Sequence, residues 1–317
     1  MPKKKKPAAS WQLPATRLTW LPKKTFELQI TIPKTEVKKA YKKALDKLAK
    51  TVSIKGFRKG KAPTNLVEKE LSQERIYQEA AQILLPQAYA QALSQHKLRP
   101  IIAPKITPVK MTVGKDWTIK AKSAEAPDVK LGNWQKAVKE AKKESPKIWV
   151  PDHRSPDKNR GEGPTPDKPN KPNDPNKPNS NTQKINKILQ ALLKEATVEI
   201  SDFVIEDETN RMLAKLLDQI NKLGLTLDQY LQANNKTQEG LRKEYRETAE
   251  RSLKLEFILL KLAQEKKIKV KDEEIEKMIK AVPDEKVRKS FETPAQKAYI
   301  ATLIRKQKTL DMLLKLV

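Results

Sequence analysis

Cysteine is absent from the sequence, and histidine and glycine are scarce, with two and eight residues. A chain without cysteine forms no disulfide, holds no thiolate-bound metal and performs no thiol catalysis. Its absence is typical of a protein from a reducing compartment. His96 and His153 have no evident nucleophile or metal-ligand partner in the sequence, so we expect both side chains to be solvated.

Long apolar runs are also missing. No run approaches the ~18 residues that a membrane span requires. No continuous apolar segment follows the basic N-terminus, so we expect no secretory signal, no membrane partner and a cytoplasmic protein. The phosphate-binding pattern G-x-x-x-x-G-K-[ST] does not occur, so an ATP-driven cycle is not indicated. We expect no cofactor, no metal and no catalytic residue.

The acidic run Asp272, Glu273 and Glu274 has two interpretations. Clustered carboxylates are potential metal ligands, but acidic residues also stabilise the positive end of a helix dipole. We favour a helix start at Asp272.

Positive charge is abundant and unevenly distributed. The net charge is +27, and residues 1–150 hold 33 Lys and Arg against 12 Asp and Glu. A net +21 in this half indicates a polyanionic partner such as nucleic acid or a ribonucleoprotein. Residues 1–15 are predicted to be a disordered basic tail. Its lysines at 3–6 suit either a nuclear-localisation signal or a solvated tail that attracts phosphate, and the second is the commoner case.

Residues 16–132 are predicted to form a compact α+β domain. Apolar residues alternate from Phe26 to Ile32, which is typical of a half-buried strand. Helical periodicity follows over 34–49, over 63–71 and after the potential cap Ser72, with a kink or break expected at Pro86. Residues 100–112 and 115–125 are predicted to be two strands of a hairpin that turns at Gly114.

The rest of the chain is predicted to be a linker and an all-α domain. Residues 133–182 are charged and then rich in proline, asparagine and lysine, and we expect most of this linker to be disordered. Residues 183–317 show helical periodicity almost throughout. The spacing of Thr226 and Gln229 predicts a capping box, and a long helix over 237–266 is expected to be the buried spine.

One short stretch between the first two helices combines unusual residues. Residues 56–63, called here loop segment 56–63, are Gly56, Phe57, Arg58, Lys59, Gly60, Lys61, Ala62 and Pro63. Glycine permits tight turns and proline stiffens the exit. An exposed aromatic ring beside cations suits a partner surface that is part apolar and part anionic. From these residues alone, a solvated basic loop with Phe57 in the core is equally acceptable.

Loop segment 56–63 resembles the ribosome-binding loop of the bacterial trigger factor family. Further similarities to the family occur in the expected order. Residues 17–19 and 26–33 resemble its opening strands, and residues 65–67 resemble the continuation of its loop. Residues 114–118 resemble its hairpin, which precedes an acidic exit at 125–127. In the C-terminal half, residues 224–231 and 268–275 resemble two further family elements. The resemblance covers 16–132 and about 190–280 well.

The resemblance implies an ATP-independent chaperone that docks on the large ribosomal subunit and shields unfolded nascent chains. The ribosome-binding residues would be Gly56, Phe57, Arg58, Lys59, Gly60, Lys61 and Pro63. The partners would be protein and rRNA near the exit tunnel, and homodimer formation away from the ribosome is a further expectation. Helical arms of the C-terminal domain would hold clients, at residues that the sequence does not identify.

Two departures from the family pattern affect these expectations. Members usually carry a peptidyl-prolyl isomerase domain like that of FK506-binding proteins, where this chain has only the linker. We therefore expect no isomerase activity, although isomerase remains an alternative by family membership. Ser201 stands where the family commonly has proline. The positive charge of residues 1–150 leaves a general nucleic-acid-binding protein as another alternative.

Overall fold

A computed structural model describes residues 14–55, 57–58, 60–140 and 180–316. These residues form two compact units. Unit 1 runs to Ala126 and includes Ser201–Val204, whereas unit 2 contains the described residues from Pro127 to Ile200 and from Ile205 onward. Residues 1–13 of the predicted tail and residues 141–179 of the predicted linker, with His153, lie outside the described residues.

Unit 1 is built on a four-stranded antiparallel sheet. Its strands are β1 Ala15–Leu21, β2 Thr25–Ile32, β3 Lys105–Met111 and β4 Trp117–Ala124, in the order β1-β2-β4-β3. The alternating residues of β2 point their apolar side chains, from Phe26 to Ile32, into the core. The predicted strand and the predicted hairpin are confirmed, with Gly114 at a φ of +72° in the turn.

Three helices complete the core of unit 1: α1 Lys34–Thr51, α2 Thr64–Glu70 and α3 Gln73–His96. The apolar sides of α1 and α3 join the buried face of the sheet in one hydrophobic cluster. Aromatic rings connect the layers, because Tyr77 lies 4.9 Å from the ring of Tyr41 and 5.8 Å from that of Trp117.

Two expectations for α3 are corrected. The helix continues through Pro86, so the expected break does not occur, and Leu84 and Ala88, two residues to either side of the proline, are buried. Burial offsets the hydrogen bond that proline cannot donate. His96 is partly buried rather than simply solvated, since its Nε2 lies 2.8 Å from Thr16 Oγ1 of β1.

Residues 201–204 complete unit 1 by their polar contacts. The hydroxyl oxygens of Ser201 and Thr25 lie 2.6 Å apart in a buried hydrogen bond. Ser201 Oγ also accepts from the N–H of Phe203 and so caps the next helix. A proline in its place would have no hydroxyl for either hydrogen bond.

Unit 2 is mainly helical, with one short ladder, β5 Val129–Lys130 paired with β6 Thr197–Val198. Its helices among the described residues are α4 Trp134–Glu140, α5 Ser180–Glu195, α6 Asp202–Lys222, α7 Leu227–Ala233, α8 Gln238–Glu265, α9 Asp272–Lys280, α10 Glu285–Ser290 and α11 Pro294–Lys315. The first residues of α6 belong to unit 1. None of the helices in the described ranges is both long and apolar enough to cross a bilayer.

Helix α8 is the buried spine that the sequence predicts. It contacts α5, α11 and the β5-β6 ladder, and it buries Ile258, Leu259 and Leu262. The capping box between Thr226 and Gln229 is also confirmed at the start of α7.

The acidic run at 272–274 opens α9, which confirms the predicted helix start. The carboxylate of Glu274 accepts hydrogen bonds from Lys308 Nζ at 2.6 Å and from the Lys271 N–H at 2.9 Å. Both bonds lower the pKa of Glu274 below its ordinary value.

The β5-β6 ladder and α4 place residues 127–140 in unit 2. Trp134 and Val138 of α4 are buried, and Lys266 Nζ lies 5.2 Å from the centre of the Trp134 ring. Glu195 Oε1 accepts a 2.6 Å hydrogen bond from the N–H of Asn133. The short charged helix expected in this region is present, and it packs against α5.

Because glycine is scarce, other residues adopt the left-handed conformation at the C-terminal ends of several helices. Four described helices end with a left-handed residue followed by a hydrogen bond that reaches back five residues, and those residues are Lys97, Gly224, Asn235 and Lys267. Glycine adopts this conformation without strain, but a lysine side chain makes it unfavourable. Lysine at two of these four positions therefore costs stability.

We predict that Lys97→Gly raises the free energy of unfolding by about 1 kcal/mol, because glycine removes the Cβ that disfavours a φ of +55°. Chemical denaturation measures this change. Lys97→Ala, which keeps the Cβ, should give no gain, and Gly224→Lys should cause a comparable loss. A gain for Lys97→Ala equal to that for Lys97→Gly would contradict the explanation.

Candidate functional site

Loop segment 56–63 joins α1 to α2 and is anchored by buried residues on both sides. Ile54 precedes it and Val67 follows it, and both side chains belong to the core of unit 1. Ala62, inside the segment, packs against the same core. These contacts fix the ends of the loop, so its tip is short and held on the domain.

Hydrogen bonds shape the tip into two successive turns. The N–H of Phe57 donates to the carbonyl of Ile54 at 3.0 Å, and the N–H of Lys61 donates to the carbonyl of Arg58 at 2.9 Å. Pro63, in an extended conformation, then begins α2 by accepting from the N–H groups of Leu66 and Val67. Gly56 and Lys59 lie outside the described residues.

Gly60 is required by both its conformation and its surroundings. Its φ is +78°, and a Cβ at this position would lie 3.2 Å from the carbonyl oxygen of Lys50 in the last turn of α1. The loop therefore folds back closely on the end of α1. Glycine is the residue that combines this φ with so little space.

The side chains at the tip are exposed. Phe57 is 42% exposed, and Arg58 and Lys61 lie on the surface on either side of Gly60. The alternative in which Phe57 packs in the core is therefore wrong. An aromatic ring and two described cations face solvent from a backbone fixed at both ends.

A hydrogen bond between the flanking helices supports the base of the loop. The hydroxyl of Tyr41 in α1 donates to Glu68 Oε1 in α2 at 2.9 Å. Burial and this hydrogen bond raise the pKa of Tyr41 to about 12. The phenol therefore stays protonated and keeps the two helices connected across neutral pH.

Leu66 is an apolar surface residue that the sequence did not single out by pattern. It is 38% exposed in the first turn of α2. Its neighbour Val67 is completely buried, and adjacent helical residues point about 100° apart. A helix of seven residues is too short to show apolar periodicity, so the sequence carried no signal that separates the exposed Leu66 from the buried Val67.

The arrangement presents groups that are suited to binding. The described tip has no histidine, hydroxyl nucleophile or carboxylate paired with a base. Across the ranges that the structure describes, no three potential ligands cluster around a metal position. Exposed aromatic and cationic groups on a fixed loop provide apolar contact and charge-assisted hydrogen bonds.

We predict that Gly60→Ala destabilises unit 1 by about 1–2 kcal/mol, because it adds strain at positive φ and a close contact with Lys50. Faster amide exchange at Lys61 would show the local opening of the turn. Gly114→Ala is the matched control, since its φ is +72° but a Cβ there meets nothing within 4 Å. Equal losses for the two variants would contradict the proposed contact with α1.

Family comparisons agree with the motifs in both units. Residues 17–150 match the model described as "Bacterial trigger factor protein (TF)", and residues 175–315 match its C-terminal model, "Bacterial trigger factor protein (TF) C-terminus". The two matches together take in most of the chain and are separated by residues 151–174.

Curated relatives are similar over a more limited stretch. Trigger factors of Staphylococcus epidermidis and Staphylococcus aureus are each 36% identical over 119 residues, which is 37% of this chain. The matched stretch spans 28% of the length of each relative.

A solved structure extends the similarity to the overall fold. It is described as "Promiscuous Substrate Recognition in Folding and Assembly Activities of the Trigger Factor Chaperone". It matches with a TM-score of 0.57 and 17% identity, over 95% of this chain and 99% of the other. The two family matches, in the order of the two units, show that this chain belongs to the bacterial trigger factor family.

Proposed function

We propose that this chain is an ATP-independent chaperone of the cytoplasm that docks on the large ribosomal subunit through loop segment 56–63 and shields nascent chains. Its partners at the docking site are ribosomal protein and rRNA near the exit tunnel. The observation that carries this proposal is the exposure of Phe57 next to Arg58 and Lys61.

The geometry of the tip supports a docking role on physical grounds. Phe57 has an exposed apolar ring, and burying it against a partner would contribute to the binding free energy. Arg58 can form paired hydrogen bonds with carboxylate or phosphate. Because Ile54, Ala62 and Val67 anchor the backbone, little conformational entropy is lost on binding.

Unit 2 supplies surfaces that suit unfolded clients. Its exposed apolar side chains are Leu217, Leu223, Leu225, Met278, Val287, Tyr299 and Leu316. A groove of about 340 Å³ between α5 and α8 adds Leu189, Leu193 and Leu255. Scattered apolar contacts are non-directional, so they tolerate many client sequences. The related structure is itself described as recognising substrates promiscuously.

We infer that the chain is not a peptidyl-prolyl isomerase. The two family matches leave only residues 151–174 between them, and that stretch is dominated by proline, asparagine and charged residues. So short a segment without apolar periodicity has too little to bury to form an enclosed proline pocket. Isomerisation of a proline peptide well above the uncatalysed rate would overturn this inference.

Simultaneous substitution of Phe57, Arg58 and Lys59 by alanine should reduce affinity for ribosomes by about ten-fold or more. The variant loses the apolar centre of the docking tip and two of its cations. Co-sedimentation of the full-length chain with purified ribosomes measures the effect. The melting temperature should change little, because Phe57 and Arg58 are exposed.

The matched control removes similar groups from a different surface of unit 1. Lys105, Val109 and Lys110 of β3 are exposed, and changing all three to alanine also removes one apolar side chain and two charges. This control should sediment with ribosomes as the wild type does. If it loses as much affinity as the loop variant, the chain is a general polyanion binder and the docking assignment is wrong.

A further inference from the structure

Helix α1 presents an unusually cationic surface next to the loop. Its exposed side chains include seven lysines, which are Lys34, Lys38, Lys39, Lys42, Lys43, Lys47 and Lys50, against a single exposed carboxylate, Asp46. Two of the lysines are paired within unit 1, Lys39 with the buried Glu36 and Lys47 with Glu79 of α3. The other five form no ion pair within the described part of the chain.

The lysines follow the geometry of the helix in two rows. Lys34, Lys38 and Lys42 are four residues apart, and so are Lys39, Lys43 and Lys47. Successive members of a row are therefore separated by about 6 Å along the axis, and the whole set extends over about 24 Å. This arrangement gives a regular array of positive charge along one side of the helix.

Folding of unit 1 does not explain this array. The opposite side of α1, with Val37, Ala44 and Leu48, supplies the buried contacts. Like charges four residues apart destabilise a helix by roughly 0.2–0.5 kcal/mol per pair. The two rows contain four such pairs, and the ion pairs of Lys39 and Lys47 offset only part of this repulsion. Bound anions would reduce what remains.

The chemistry of the surface favours a nucleic-acid backbone over an acidic protein. The exposed residues of α1 are all lysine, threonine or aspartate, so the helix itself presents no exposed aromatic or aliphatic anchor. Protein partners usually bury such an anchor at the centre of the interface. Lysines spaced regularly as point charges suit consecutive phosphates, with binding driven by counterion release.

We propose that the exposed lysine face of α1 binds the phosphate backbone of RNA without base specificity. This surface is separate in residues and in chemistry from loop segment 56–63, which relies on Phe57. Only the identity of the natural RNA depends on the proposed function, according to which it is rRNA. Binding to RNA itself can be measured without ribosomes.

The test compares the full-length wild type with Lys38→Gln/Lys42→Gln/Lys43→Gln. All three lysines are exposed, and none has an ion-pair partner among the described residues. Fluorescence anisotropy with a short protein-free RNA duplex, between about 50 and 200 mM salt, gives the affinity and its salt dependence. The variant should bind about 10- to 100-fold more weakly, and the slope of log K against log salt should fall by roughly 2–3.

Two controls separate a local site from net charge and from misfolding. Lys105→Gln/Lys110→Gln/Lys115→Gln removes the same charge from exposed positions on β3 and the following hairpin turn, and it should retain most of the affinity. Lys38→Arg/Lys42→Arg/Lys43→Arg keeps the charge and should bind like the wild type. Without RNA, the glutamine variant of α1 should melt no lower than the wild type, because it has lost like-charge repulsion.

The proposal is overturned if the β3 control loses as much RNA affinity as the α1 glutamine variant, or if the α1 glutamine variant loses none. It is also overturned if the arginine variant fails to bind RNA. Binding of the wild type to polyglutamate as tightly as to RNA would overturn it as well. The last result would assign the surface to acidic proteins. Failure of the proposed function would give a different result from failure of this inference. If the proposed function is wrong, the variant altered at Phe57, Arg58 and Lys59 would still sediment with ribosomes, independently of whether α1 binds free RNA.

Discussion

The structure of unit 1 depends on the burial of one side of α1 and α3 against the sheet. Phe26, Leu28 and Ile30 of β2 are completely buried beneath these helices. Burial of each such side chain is worth about 1.5–3 kcal/mol. The same cluster includes Ile54 and Val67, so the packing that stabilises the domain also fixes both ends of loop segment 56–63. Exposure of Phe57 is therefore a consequence of where the core ends.

This division between buried and exposed surfaces lets one helix have two roles. The inner side of α1 stabilises the domain, and its outer side carries the lysines proposed to contact RNA. The loop would contribute a specific apolar and ionic contact, whereas α1 would contribute salt-sensitive attraction. The two contributions are expected to reinforce each other, because anchoring by the loop would raise the local concentration of phosphate around α1.

Sequence periodicity predicted the long elements, since the buried face of β2 and the spine of α8 leave repeating apolar patterns. It could not predict the β5-β6 ladder, because two-residue strands carry no periodicity and their partners are far apart in the chain. The packing of Trp134 in unit 2 was not predictable either, because its packing partners are also far away in the chain. The contact between His96 and Thr16 depends on tertiary structure alone. At the candidate site, the residue types indicated a loop, but only the structure, in which Phe57 is 42% exposed between the buried Ile54 and Val67, decides that Phe57 is outside the core.

Amide hydrogen exchange of the full-length chain, free and bound to ribosomes, tests the docking role of the tip most directly. The amides of Phe57 and Lys61 donate the hydrogen bonds of the two turns, so they report on that surface. The account predicts slower exchange across these turns when ribosomes are bound, while the core of unit 1 changes little. Unchanged exchange at both amides, with new protection confined to unit 2, would contradict it.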